Sequence, residues 1–202
     1  MTGSGWRQPV IDYIRAEAQP VDKFGHQPRL YALACRIGQG MAYDDDIVFA
    51  AAWMHDLGVF LGHRPRDPEE LSRWDHRHYT IEKSRELLGG WGFPAHKLDA
   101  VAEAIWTHML DGNPTQVEGV LLRDADILEQ LGGIGALRAI AKIGRDSRYP
   151  TFSSVMPVLQ HAVMHFPQEL RLTSAKLLAV ERVKALESLI AAINSEADGS
   201  LL

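Results

Sequence analysis

A single cysteine, Cys35, occurs in 202 residues, so no intrachain disulfide can form. It stands among Leu33, Ala34 and Ile37, the setting of a small buried apolar residue rather than of a nucleophile. The lack of a disulfide framework fits a reducing compartment. No apolar stretch approaches the roughly 20 residues that a membrane-spanning helix needs. The run Ile47 to Met54 is too short, and Met1 to Gln8 lacks a signal-peptide core. A cytoplasmic protein with no membrane partner is the expectation. Basic stripes are missing as well: the formal net charge is −5, and no Lys/Arg run occurs. Binding to a nucleic acid duplex through phosphate neutralisation is therefore not expected. A phosphate-bearing small molecule remains compatible, because a bound metal supplies positive charge that composition does not display. Strand signals are also lacking, with no alternating run and no Asn-Gly hairpin.

What is present is ordinary for a folded chain: 46% hydrophobic and 23% charged residues, enough to bury a sizeable core. Apolar residues recur at helical spacing. Pro9 opens a helix to about Ala18, and Leu30, Leu33, Ala34 and Ile37 form an i, i+3, i+4, i+7 stripe on the next. Asp44 to Asp46 place carboxylates at the start of a third helix, which carries Ile47, Ala51 and Met54 into His55-Asp56. Gly62 to Asp67 reads as loop. Helices follow from about Asp75 to Leu88, from Pro94 through His108, from about Gln116 to Leu131, and on to about Arg145. Beyond Pro150, Ser153 to His165 and Ala175 to Asn194 make two more, and Ser195 to Leu202 is expected to fray. The fold class is all-α: an N-terminal helix over 1–24, a helical core over 25–148, and C-terminal helices over 149–202 that either cover the core or form a homodimer surface.

Three places interrupt this pattern with polar chemistry. His55-Asp56 follows Ala50, Ala51 and Ala52, small residues that let another helix approach. A carboxylate buried there needs a partner, and one divalent cation would satisfy both side chains. His26 stands just ahead of the Leu30 stripe, either as an exposed helix-start residue or as a third ligand brought beside His55 by helix packing. In Leu121-Leu122-Arg123-Asp124-Ala125-Asp126-Ile127-Leu128 two aspartates break a strongly apolar helix. They lie about 160° apart around its axis, so at least one faces inward. Arg123 or a metal is the candidate partner, and periodicity does not choose between Asp124 and Asp126.

In order, His26, His55-Asp56 and Asp126 resemble the H…HD…D signature of the HD-domain superfamily. Ala125-Asp126 followed by Leu128 is similar to that family's closing motif, which selects Asp126 over Asp124. The stretch Arg123 to Gly132, with Ile134-Gly135 and Arg138, resembles a bacterial subgroup of short HD hydrolases acting on nucleotides. The resemblance covers about Phe24 to Arg145. It implies a single HD-type helical domain with extra C-terminal helices, a divalent metal ion (Mn, Co, Fe, Zn or Mg) held by His26, His55, Asp56 and Asp126, and a phosphohydrolase acting on a nucleotide or similar small phosphate through a metal-activated water. Asp56 then orients water as well as binding metal.

In related HD proteins, histidines of the intervening helices touch substrate phosphate or bind a second metal. The resemblance so implies roles for His78 and His108 in phosphate contact or leaving-group protonation. Arg29, Lys83 and Arg138 are the candidates to steady a phosphate. His76 is expected in a supporting or exposed position, and His63 and His96 facing solvent. His161 and His165, spaced i, i+4, could share an ion on one face, but no carboxylate accompanies them and they receive no role here. His55-Asp56 is followed by Leu57-Gly58-Val59, without the lysine of the cyclic-dinucleotide branch, which counts against that branch. The alternatives are an HD-type di-iron oxygenase, with His78 and His108 on a second iron, and a non-catalytic nucleotide-binding module.

Overall fold

The computed structural model describes residues 5–146 and 148–200, apart from the side chain of residue 22. Ten α-helices and no strand are found among these residues. The chain divides into two compact units, Met1–Arg123 and Asp124–Leu202.

The first unit holds α1 (Arg7–Glu17), α2 (His26–Ile37), α3 (Asp45–Met54), α4 (Pro68–Ser72), α5 (His76–Gly90), α6 (Leu98–Thr107) and the first turns of α7 (Val117–Leu128). Its centre is α3. Every residue from Ile47 to Met54 is buried, and α1, α2, α5 and α6 all pack on this helix. A helix that is apolar on every side has to lie inside a core, which is why the longest apolar run became the central element. Its start is fixed electrostatically. Asp44 caps it by accepting from the Asp46 N–H at 3.0 Å. The carboxylates of Asp45 and Asp46 each take Arg7 at 2.7 Å, and Lys97 reaches Asp44 and Asp46. The α2 stripe of Leu30, Leu33, Ala34 and Ile37 is buried as its spacing predicts.

Beyond α3 the chain makes a 3-10 turn at Leu57–Val59 and is held tightly against α5. Gly58 donates its N–H to Thr80 Oγ1 at 3.0 Å, and its carbonyl accepts from the Trp74 indole at 2.9 Å. A Cβ on Gly58 would meet the His76 Cβ and carbonyl oxygen at 2.9 Å and Thr80 Oγ1 at 3.0 Å. Only glycine permits this approach. The segment Gly62 to Asp67 is loop as expected, but α4 follows at once, started by Pro68 and by Asp67, which caps the N–H groups of Glu69 and Glu70. His63, expected to face solvent, has only 6% of its side chain exposed. Its ring lies between Glu17 Oε2 at 3.0 Å and the Tyr79 hydroxyl at 2.7 Å, tying the loop to α1 and α5.

In the second unit α8 (Gly132–Ile140), α9 (Phe152–Glu169) and α10 (Thr173–Ala197) pack pairwise. Asp124 organises it. Its fully buried carboxylate accepts from the Arg171 N–H at 3.1 Å and the Leu172 N–H at 2.8 Å, fixing the chain just ahead of α10. Arg182 of α10 donates back to the Leu128 carbonyl at 2.6 Å, where α7 ends. α10 runs through Ala197, longer than the expected Asn194, so Ser195 to Ala197 are helical rather than frayed. It stops where Asp198 and Gly199 adopt φ of 45° and 77°.

Two substitutions test these contacts by urea denaturation. Asp124→Ala removes a buried, charged acceptor from the Arg171 and Leu172 N–H groups and is expected to cost about 2–3 kcal/mol, with Asp124→Asn costing less. Thr80→Val leaves the buried Gly58 N–H without its acceptor and is expected to cost about 1–3 kcal/mol.

Candidate metal centre

Four histidines meet around one carboxylate in the first unit, and each stands at a helix end. His26 is the first residue of α2, His55 follows the last residue of α3, His76 opens α5, and His108 follows the last residue of α6. His26, His55 and His108 are at most 3% exposed. Their rings succeed one another: His26 to His55 at 5.1 Å between centroids, His55 to His108 at 5.0 Å, and His108 to His76 at 5.8 Å. Asp56 lies among them, with Oδ1 at 3.6 Å from His55 Nε2 and 3.9 Å from His76 Nε2, and Oδ2 at 4.0 Å from His26 Nε2.

Hydrogen bonds fix which nitrogens face inward. His55 donates Nδ1–H to the Ala52 carbonyl at 3.0 Å, and His108 donates Nδ1–H to the Ile105 carbonyl at 2.6 Å. A carbonyl only accepts, so in the neutral rings Nε2 carries the lone pair. His26 Nε2 and His55 Nε2 approach to 3.2 Å. That is the spacing of neighbouring ligands on one small cation, each about 2.1 Å from it. His76 Nε2 is buried with no hydrogen-bond partner. An orphaned ring nitrogen beside a carboxylate is costly unless a cation or substrate engages it. Burial pushes the His76 imidazole below its ordinary pKa, against the pull of Asp56. Burial also raises the Asp56 carboxyl, but the facing His55 and His26, with Lys23 and His76, hold it well below the usual carboxylate range.

Two overlapping ligand sets result, each with its donor atoms within 4.8 Å of one another: His26, His55 and Asp56, and Asp56, His76 and His108. Asp56 belongs to both. Imidazole and carboxylate donors of this kind suit Mn²⁺, Fe²⁺, Co²⁺ or Zn²⁺, so the residues present fit a divalent cation.

His78, expected to contact phosphate or protonate a leaving group, is not among the four histidines gathered around Asp56. Asp75 caps α5, accepting from the Arg77 N–H at 3.0 Å, so the helix begins at His76. Residues two apart on a helix point about 160° away from one another. With His76 turned inward, His78 is exposed and packs edge-on to Trp106, centroids 4.8 Å apart. Its neighbour His76, given only a supporting position, takes the inward one. The signal was available in Asp75, whose capping sets where the first turn starts. Arg29 stands one turn along α2 from His26. Lys83 is paired to Glu86 at 2.8 Å and so is not directed at the histidines in this structure. Asp126 and Arg138 belong to the second unit, where Arg138 Nη1 lies 3.9 Å from Asp126 Oδ1 and 3.7 Å from Glu129 Oε2. Asp124, the alternative to Asp126, is committed to the start of α10.

Comparison with known proteins follows this geometry. The HD domain family model matches residues 24–131. The multifunctional CCA proteins of two Stenotrophomonas maltophilia strains are 31% identical over 196 residues, covering 85% of this chain and 45% of theirs. The chain thus spans about half the length of the curated relatives it matches. Among solved structures, Bacillus subtilis YpgQ superposes with a TM-score of 0.76 at 22% identity, over 98% of this chain and 99% of that one. YpgQ in complex with ADP superposes with a TM-score of 0.71 at 21% identity, over 96% and 98%. An HD-superfamily hydrolase from Bacillus thuringiensis gives 0.68 at 17% identity, over 96% and 97%. These structures share the fold. Because the family model spans more than half of the sequence, including the paired His55-Asp56 on which the histidines converge, the chain belongs to the HD domain family.

Proposed function

We propose that this protein is a metal-dependent phosphohydrolase that cleaves a phosphoester or phosphoanhydride in a nucleotide or similar small phosphate. One observation carries the reading: a single buried-site carboxylate, Asp56, serves two histidine pairs whose Nε2 atoms gather around it. The sequence pattern assigns Asp126 as the fourth ligand beside His26, His55 and Asp56. A divalent ion held there supplies Lewis-acid polarisation of a phosphoryl oxygen and acidifies water. The complex of the fold relative YpgQ with ADP supports a nucleotide as the substrate class.

The chain's own residues divide the remaining work. Asp56 stays ionised in its ring of imidazoles, so it can accept a hydrogen bond from a water and orient it. His108 has its Nδ1–H committed to Ile105, so its inward nitrogen is an acceptor while the ring is neutral. His76 has no such constraint and can present Nε2–H to a phosphate or leaving oxygen. Arg29 and Arg138 are the candidates to steady the phosphate charge, as point or forked donors. No serine or cysteine nucleophile is required.

His108's fixed tautomer and the shared Asp56 favour a second reading, in which Asp56, His76 and His108 hold a second ion. That arrangement serves a two-metal hydrolase and an HD-type di-iron oxygenase alike. Metal content separates these: two irons per chain with an oxygen-sensitive spectrum support the oxygenase, and one ion removes the two-ion reading.

Chelator-stripped protein is expected to release phosphate from nucleoside mono-, di- or triphosphates only after Mn²⁺, Co²⁺, Fe²⁺, Zn²⁺ or Mg²⁺ is restored. No release with any of these metals across the panel would end the hydrolase reading, and nucleotide binding that survives Asp56→Ala would point to a non-catalytic module. Asp56→Asn and His76→Ala are each expected to lower kcat by about 100-fold or more. His78→Ala, by contrast, is expected to leave kcat within about twofold, since an exposed surface substitution has small effects.

A further inference from the structure

Two histidines lie in the second unit with no part in the centre described above. His161 and His165 are four residues apart on α9, and both are exposed. Their ring centroids are 4.4 Å apart with planes inclined by 37°. Side chains three and four apart on a helix are neighbours, with Cβ atoms about 5–6 Å apart. Met164, three residues after His161, therefore belongs to the same face. It is 58% exposed, off the buried stripe of Val155, Leu159, Ala162 and Phe166. Phe166 stands edge-on to His161 at 5.7 Å and helps to hold that ring.

The chemistry of this face is selective. Glu169, four residues after His165, is the only acidic residue of the helix, and a single carboxylate falls far short of the six or more oxygen ligands that hard cations such as Ca²⁺ take. Two imidazoles and one thioether are the other donors of this face. Imidazole suits copper and zinc, a thioether selects Cu⁺, and copper leads the affinity order of divalent first-row ions. We propose that His161, Met164 and His165 form a surface copper site, separate from the candidate metal centre and open to solvent on its remaining positions.

The test uses the full chain, stripped of metal, in three forms: unaltered, His165→Asn and Met164→Leu. Cu⁺ is titrated in reducing buffer against a colorimetric Cu⁺ chelator, and Cu²⁺ and Zn²⁺ by calorimetry. The unaltered protein is expected to bind one more copper ion than His165→Asn, or to lose at least about tenfold in affinity at that site on substitution. Met164→Leu is expected to weaken Cu⁺ several-fold while leaving Cu²⁺ within about twofold, because only the soft ion gains from sulfur. Helix content by circular dichroism and metal-dependent turnover should not change, since the positions are exposed. Equal copper stoichiometry and affinity in the unaltered and His165→Asn proteins would overturn the site. An unchanged Cu⁺ affinity in Met164→Leu, or Zn²⁺ bound at this face as tightly as copper, would overturn its assignment to copper.

Discussion

A carboxylate drawn away from bulk water has to be matched by positive charge or hydrogen-bond donors, and Asp56 is the group around which the first unit satisfies that requirement. It has four imidazoles near it and no saturating set of donors. Desolvation alone would push such a group toward its neutral form. The facing histidines push the other way and prevail, so Asp56 keeps its negative charge among donor atoms that could hold a cation. The cost of leaving such a cluster half-satisfied is what makes a metal the natural completion of this geometry.

The histidines reach Asp56 because each sits at a helix end. α2 and α5 begin at the centre, while α3 and α6 finish there. Helix ends bring short, well-defined backbone into the site and leave carbonyls free of intrahelical partners. The Ala52 and Ile105 carbonyls, one turn back from His55 and His108, set the tautomers of those rings. Orientation of a ligating histidine by its second nitrogen is a general device for raising basicity and fixing direction. Here it is supplied by the helix that precedes each ring. The Gly58 clamp adds the remaining constraint, pinning the chain two residues after Asp56 against His76 and Thr80.

The second unit shows how a buried aspartate can serve stability instead. Asp124 and Asp126 are two residues apart on one helix, yet Asp124 is spent on the backbone N–H groups of Arg171 and Leu172, just ahead of α10, where the helix dipole also favours a carboxylate. Arg182 answers at the end of α7. The same helix therefore carries an aspartate with a structural assignment beside one that the family pattern assigns to chemistry.

Much of this protein was legible in its residues. The all-α class and the central place of Ile47 to Met54 follow from periodicity and capping, which depend on neighbours in sequence, while the HD family was legible through the resemblance of His26, His55-Asp56 and Asp126 to its motif order. Asp75 marks in the sequence where α5 begins, but tertiary structure alone decided that His76 meets Asp56, that His63 is buried between Glu17 and Tyr79, and that Asp124 is committed to the start of α10. Each of these turns on where a distant backbone or side chain comes to rest. A change of one residue in where a helix starts swings an imidazole by about 100°, and local spacing carries no record of the partner that it then meets.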